Sequence, residues 1–291
     1  MSTLLLAGFC CQSFSLSGKK LGFEDERGKL FFNLVEALET LKPDYFLIEN
    51  VIMKKEMEEK ISSMIGVKPI EINSSLVSAQ NRRRLYWTNI PNIELPKDKN
   101  IKIKDILEPN ITEGVITNTP NRRFTENYMQ YDINNLGNGS SDQRAYYLDG
   151  KAGTLDLGCA HKPKVMINDN FIRKFTQTEL ERLQTLPEGY TSCVSKSKAG
   201  KAIGNGWTVD IISHILQNIP NKEVNTVISL FDGISCGRVA LERANIKFDN
   251  YLASEIDKSA ISISNYNWGD ITQIGDVTKI DWVKLKEAYK L

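Results

Sequence analysis

Short unbroken apolar runs, each spilling into a polar or glycine-containing turn, recur along this chain. TLLLAGF (3–9), YFLIENV (45–51), TVISL (226–230) and YLAS (251–254) have the continuous hydrophobicity of buried strands. VKPIEINSS (67–75) and RRLYWTNI (83–90) predict two more. Between them lie segments with helical spacing: KLFFNLVEALETL (29–41), stopped before Pro43, and the charged surface helix MKKEMEEKISSMI (53–65). Strands alternating with helices predict an α/β fold built on a parallel, doubly wound sheet.

The texture changes between about Pro91 and Asp169, where Asn, Gly, Thr and Ser crowd around short strand-like pieces. That composition predicts a small, loop-rich second domain. Helical periodicity returns at TQTELERLQTL (176–186), where Thr176 stands three residues before Glu179, the spacing of a capping box. The chain therefore divides into 1–90, 91–169 and 170–291, with GNGWTVDIISHILQNI, the strand at 226 and GDVTKIDWVKLKEAYKL in the last segment.

Composition narrows the class. With 291 residues, 41% hydrophobic and 25% charged, the chain is an ordinary globular protein. A net charge of +1 gives no global field, so a polyanion partner would need a local basic patch. Five cysteines without a CxxC pair, and only two histidines, argue against a zinc site, and no metal is expected. STLLLAGF is too short for the apolar region of a signal peptide, and no stretch has the length of a membrane helix. The expectation is a cytoplasmic protein with reduced thiols and no membrane association.

Four stretches carry candidate chemistry, and each also has a plain structural reading. VISLFDGISCGRVALERANI joins a strand, a glycine turn and a helix, with Glu255 about 20 residues further on, which suits a cofactor crevice or a simple structural turn. Its glycines do not follow G-x-G-x-x-G, which disfavours a nicotinamide cofactor. QNRRRLYW (80–87) is a solvated strand end or a set of forked phosphate and base contacts. IENV puts Glu49 at the end of a buried strand, where α/β sheets build their sites. Cys10 and Cys11 after the first strand are small apolar fillers or, in an electropositive turn, a thiolate nucleophile.

Taken together, AGFCCQSFSLSGKKLGFEDERGKLFF, IENV, QNRRR, RKFTQTELERLQTLP, IGNGW, SLFDGIS, ASEID and GDV resemble the DNA cytosine-5 methyltransferase family, nearest to its short bacterial members of the HhaI type. The resemblance spans nearly the whole chain. In that family the cofactor motifs usually precede the Pro-Cys-Gln nucleophile motif, whereas here they come last, which looks like a circular permutation with the break just before the nucleophile strand.

The resemblance implies a Rossmann-like S-adenosylmethionine-dependent methyltransferase domain with a target-recognition domain at 91–169. The catalytic half would be 1–90, and the rest of the methyltransferase domain 170–291, with cofactor motifs at 226–280. It implies transfer of a methyl group from S-adenosyl-L-methionine to C5 of a cytosine flipped out of double-stranded DNA, through a covalent bond from Cys11 to C6. Glu49 would hydrogen-bond the cytosine N3 and amine, and Arg84, with Arg82 alongside, would hold its O2. Phe231 would stack on adenine, Gly233 and Ile234 would line the turn, Glu255 would bind the ribose and Asp276 the adenine amine, with Ile256 and Val277 as further cofactor contacts. Asn205 would complete the cofactor pocket. Ser15, Ser17 and Lys19 would lie on a DNA-closing loop, with Arg144 as a guanine contact and Thr154 in the recognition region. A bacterial or phage-encoded monomer, with a cognate restriction endonuclease as functional companion, completes the expectation.

Two departures from the family pattern stand out. Position 10 is Cys where the family has Pro, and Ser235–Cys236 replace a usual Gly pair, more like the animal de novo branch. The tRNA-methylating branch shares the chemistry, but its extra Cys-Phe-Thr signature is lacking. A catalytically silent DNA-binding protein would be expected to lose Cys11, Glu49 or the arginines.

Overall fold

In chain order the elements are β1 (Thr3–Gly8), α1 (Glu26–Leu41), β2 (Tyr45–Val51), α2 (Lys55–Ile65), β3 (Ile70–Asn73) and β4 (Arg83–Thr88). Short strands follow: β5 (Val115–Ile116), β6 (Arg122–Phe124), β7 (Tyr128–Tyr131), β8 (Arg144–Tyr147), β9 (Lys164–Asn168) and β10 (Phe171–Lys174). Then come α3 (Gln177–Leu183), α4 (Lys196–Asn205), α5 (Val209–Leu216), β11 (Thr226–Leu230) and α6 (Cys236–Arg243). The chain closes with β12 (Asn250–Ser254), α7 (Lys258–Asn267), β13 (Ile271–Gln273) and α8 (Trp282–Tyr289). The computed structural model describes residues 2–15, 22–116, 122–124, 126–131, 144–156, 164–168 and 171–291. Contacts divide the chain into unit 1 (Met1–Ile72, Arg83–Leu95, Val209–Leu291) and unit 2 (Asn73–Arg82, Pro96–Thr208).

Unit 1 is built on a seven-stranded sheet in the order β13-β12-β11-β1-β2-β4-β3. From β13 to β2 each neighbour pairs in parallel, but β4 runs antiparallel to β2. The sheet is therefore mixed, not wholly parallel as the alternation of elements predicts. Residues 74–82 between β3 and β4 are too few for a parallel crossover helix, so the chain returns between β2 and β3.

Helices cover the apolar runs. Leu4, Leu5, Leu6 and Ala7 of β1 are fully buried. α1 turns Phe31, Leu34, Ala37 and Leu41 inward at helical spacing. It begins earlier than its apolar stripe suggests, because Asp25 caps it by accepting from the Arg27 amide. Lys42, in left-handed conformation, and Pro43 end it. α8 buries Trp282 in the same core, and Lys286 Nζ donates to the Thr40 carbonyl at 2.8 Å. Among the described residues, no helix is long and apolar enough to cross a membrane.

Unit 2 contains a six-stranded sheet in the order β5-β10-β9-β8-β7-β6, in which each neighbouring pair is antiparallel except β8 with β9. Met129, Ala145, Met166 and Ile172 form its small core. Buried polar groups do much of the remaining tying. Arg173 and Glu179 form a fork at 2.7 Å with almost no exposure, and Glu179 also closes the capping box with Thr176 that the sequence predicts. The buried Glu181 carboxylate accepts from the Gly189 and Thr191 amides at 2.7 and 2.8 Å. Gln80 donates to the Leu183 carbonyl and Gln184 Oε1, both at 3.0 Å.

Candidate active site

Parallel pairing brings the ends of β1 and β2 together, with Gly8 opposite Glu49, and β1 lies beside β11 with Ala7 opposite Leu230. The segments leaving β1, β2, β11 and β12 thus emerge at one carboxyl edge of one sheet, where open α/β sheets bind ligands.

The first segment leaving that edge carries the cysteines. Cys10 has φ −50°, within the range proline would impose, so a proline would fit at this position. Cys11 opens a single 3-10 turn whose carbonyl accepts from the Phe14 and Ser15 amides. Phe9, Phe14, Phe23 and Phe31 pack ring against ring at 5.0–5.4 Å and seat this turn on α1. Gly28 is required there, because a Cβ would come within 1.9 Å of the Gly22 carbonyl oxygen. Cys11 is half-buried and Ser15 follows it directly after the turn, while Ser17 and Lys19 lie outside the described residues.

Glu49 and Arg84 meet from β2 and β4. Arg84 Nε lies 3.0 Å from Glu49 Oε1, and both side chains keep only 11% exposure. The guanidinium also donates to the Arg83 carbonyl at 2.8 Å. Asn50 is fully buried and donates to the Phe9 carbonyl at 3.0 Å, holding the strand end from which the cysteines leave. A carboxylate so nearly buried is tolerable because a cation pairs with it, and the pair presents one acceptor and one forked donor at the sheet edge.

The second segment is the turn after β11. Phe231, Gly233 and Ser235 have φ of 56°, 60° and 59°, so alternate residues are left-handed, and the Asp232 and Ser235 amides donate to the Ser254 and Asp232 carbonyls, both at 3.1 Å. A Cβ at Gly233 would meet nothing within 4 Å, so the space over it is open. Glu255, after β12, accepts from the Gly233 amide at 2.8 Å and from the Ile256 and Asp257 amides at 2.7 and 2.8 Å. Ile256 is exposed, Ile234 and Val277 are buried, and Phe231 packs against the core. Asp276 caps the next 3-10 turn, and hydrogen bonds from the Thr278 amide and hydroxyl hold its carboxyl below the usual range.

One residue in this turn has no role assigned from the sequence. Asp232 is buried and accepts from Ser235 Oγ at 2.5 Å and Tyr251 Oη at 2.7 Å. Burial pushes its carboxyl up to about 6 against those hydrogen bonds.

The remaining expected residues belong to unit 2. Arg82 is buried and spends its fork on three carbonyls, those of Leu155 (2.9 Å), Gly204 (3.3 Å) and Gly206 (3.0 Å). Thr154 Oγ1 donates to the Asn81 carbonyl at 2.8 Å, and Asn205 is exposed at the end of α4. Arg144 stacks on the Tyr128 ring at 4.8 Å, in a tyrosine pair completed by Tyr146.

The profile of the family described as C-5 cytosine-specific DNA methylase matches residues 2–221 and 225–290. The chain belongs to that family. It is similar to the type II methyltransferase M.HhaI of Haemophilus parahaemolyticus, 29% identical over 247 residues that cover 74% of this chain and 75% of that protein. It is also similar to M1.ScrFI of Lactococcus lactis subsp. cremoris (28%, covering 74% and 61%) and to M.HpaII of Haemophilus parainfluenzae (28%, covering 75% and 72%). The protein is a DNA cytosine-5 methyltransferase, and S-adenosylmethionine is the methyl donor of its family. The turn after β11 suits that cofactor: the space over Gly233 is open, and a carboxylate after each of the next two strands offers acceptors to the hydroxyls and amine of a nucleoside.

Proposed function

We propose that this methyltransferase attacks C6 of a flipped cytosine in duplex DNA with the thiolate of Cys11. The observation that carries the reading is the arrival of the Cys11 turn, the Glu49–Arg84 pair and the 231–235 turn at one edge of one sheet. Sulfur adds to C6 and the ring becomes an enamine nucleophilic at C5. Glu49 hydrogen-bonds N3 and the exocyclic amine as charge develops, and Arg84 donates to O2 while fixing Glu49. S-adenosylmethionine, when bound, would supply an electrophilic methyl group to C5, its sulfonium S–CH3 bond breaking to leave S-adenosylhomocysteine. Transfer of the C5 proton to solvent water and departure of the thiolate from C6 then restore the aromatic ring and free Cys11.

Phe231, Gly233, Ile234, Glu255, Ile256, Asp276 and Val277 are the proposed cofactor contacts in unit 1. Arg82 is better assigned to holding the 155 and 204–206 backbone than to touching the base, since its fork is used on carbonyls. Target recognition is assigned to 91–169, with Arg144 as guanine contact: its guanidinium lies over the Tyr128 ring, and a forked donor suits bidentate donation to guanine.

The motif order is proposed to be a circular permutation. Lys286 of α8 bonds the Thr40 carbonyl and the Thr3 amide bonds Asp44 Oδ2, so the two chain ends converge on the corner between α1 and β2. The family match breaks at 222–224, just before β11, where a conventional chain would begin. The enzyme is proposed to act as a cytoplasmic monomer that protects a specific site from a cognate endonuclease. Bisulfite sequencing of DNA from cells expressing the protein tests this reading, with one protected sequence context expected. Full conversion at every cytosine would overturn it.

A further inference from the structure

Arg27 and Asp25 form a charge pair beside the nucleophile turn that the mechanism above does not use. Asp25 caps α1 and grips the Arg27 side chain as a fork, accepting from Nε at 3.1 Å and Nη2 at 2.7 Å. The remaining edge of the guanidinium, Nη1, donates to Gln12 Oε1, on the residue next to Cys11. Two neighbours thus hold the guanidinium, and one is part of the cysteine turn.

We infer that Arg27 is a positioning residue that fixes Gln12 and stabilises the Cys11 thiolate, with Asp25 setting how much of its charge the sulfur feels. The inference rests on the reading of Cys11 as nucleophile. Arg27 is held charged chiefly by its hydrogen bond to Asp25, then by that carboxylate's charge, and in smaller measure by the Cys10 and Cys11 sulfurs. Attraction is mutual, so a guanidinium that the sulfurs stabilise must in turn favour the thiolate. Among the described residues, the other charged groups on the neighbouring elements are Glu49 with its partner Arg84 on β2 and β4, Lys60 of α2 over the Phe23 ring at 5.1 Å, and Glu24 and Glu26 flanking Asp25, the last paired with Lys29.

The two members of the pair should act oppositely on the sulfur, which separates this role from a structural one. The test is the pH dependence of iodoacetamide alkylation of the full-length enzyme, with tandem mass spectrometry assigning the adduct to Cys10 or Cys11. In Arg27→Gln the midpoint for Cys11 should rise by about one pH unit, so alkylation at pH 7 falls about tenfold. Asp25→Asn keeps a good helix cap and should lower the midpoint. Arg27→Lys should stay near the wild type. The pH profile of trapping on 5-fluorocytosine duplex DNA should move the same way. Shifts of Arg27→Gln and Asp25→Asn in one direction, or no shift in either, would overturn the inference. So would uniform weakening of DNA binding by Arg27→Gln with an unmoved midpoint, which marks a phosphate contact. If Cys11→Ser is still trapped, the nucleophile assignment itself fails, a result distinct from all of these.

Discussion

Asp232 gives the most quantitative expectation. Its carboxyl is buried beneath the turn that presents Phe231 and Gly233, and desolvation lifts it from the usual 3.8 to about 6 despite the hydroxyls of Ser235 and Tyr251. A folded value above the unfolded one means that the native state holds its proton more tightly. Below about pH 4 both states are protonated and Asp232 costs nothing. Between pH 4 and 6 the unfolded chain releases the proton first, so stability falls as pH rises, and above pH 6 the full cost is present. Roughly two pH units at about 1.4 kcal/mol each put that cost at about 3 kcal/mol. Asp232→Asn removes the ionisation while keeping an acceptor for Tyr251 and a donor for Ser235. Urea denaturation of both proteins from pH 4 to 8 is the assay. The variant should gain on the wild type through the pH 4–6 window, by up to about 3 kcal/mol, and hold that gain above it. A stability difference that stays constant with pH would refute the reasoning, because it would mean that Asp232 does not titrate in the native state.

Four further outcomes are expected. Cys11→Ser should abolish both methylation and trapping on 5-fluorocytosine DNA, whereas Cys10→Pro should keep both, because φ at Cys10 already suits proline. Glu49→Gln should bind duplex DNA normally yet turn over about 10²–10⁴-fold more slowly, as read by single-turnover methyl transfer. Arg144→Ala should cost about 1–3 kcal/mol on the cognate site and little on random DNA, measured by competition binding. A relinked chain, with a short linker from α8 to β1 and a new opening at 222–224, should fold and methylate the same sites, checked by bisulfite sequencing.

Much of this was legible in the residues because burial on both faces leaves an unmistakable mark. The run TLLLA can be little other than a central strand, and its neighbours carry the same signature. The Thr176–Glu179 box was readable for a similar reason, since a cap is a local event between residues three apart. The direction of β4 was not, as RRLYWT buries the same side chains whichever way it runs, and only the length of the return fixes it. Arg82 and Arg84 stand two residues apart in one motif, yet one spends its fork on carbonyls and the other pairs with Glu49. Nothing in the triplet distinguishes them, because the partners come from distant segments. The burial of Asp232 is not legible, because an aspartate beside a glycine is equally compatible with a solvated turn. Its burial depends on Tyr251, Ser235 and Ser264 closing over it. Nothing in the sequence marks Arg27 either, because its contact with Gln12 exists only once the cysteine turn packs on α1.

The most direct test of the central claim is nucleoside mass spectrometry of duplex DNA incubated with the purified enzyme and S-adenosylmethionine, run beside Cys11→Ser. The expected product is 5-methyl-2′-deoxycytidine, formed by the wild type and absent with the variant. Methylation confined to cytosine N4 or adenine N6, or found in tRNA with none in DNA, would contradict it, as would undiminished 5-methyl-2′-deoxycytidine from the Cys11→Ser protein.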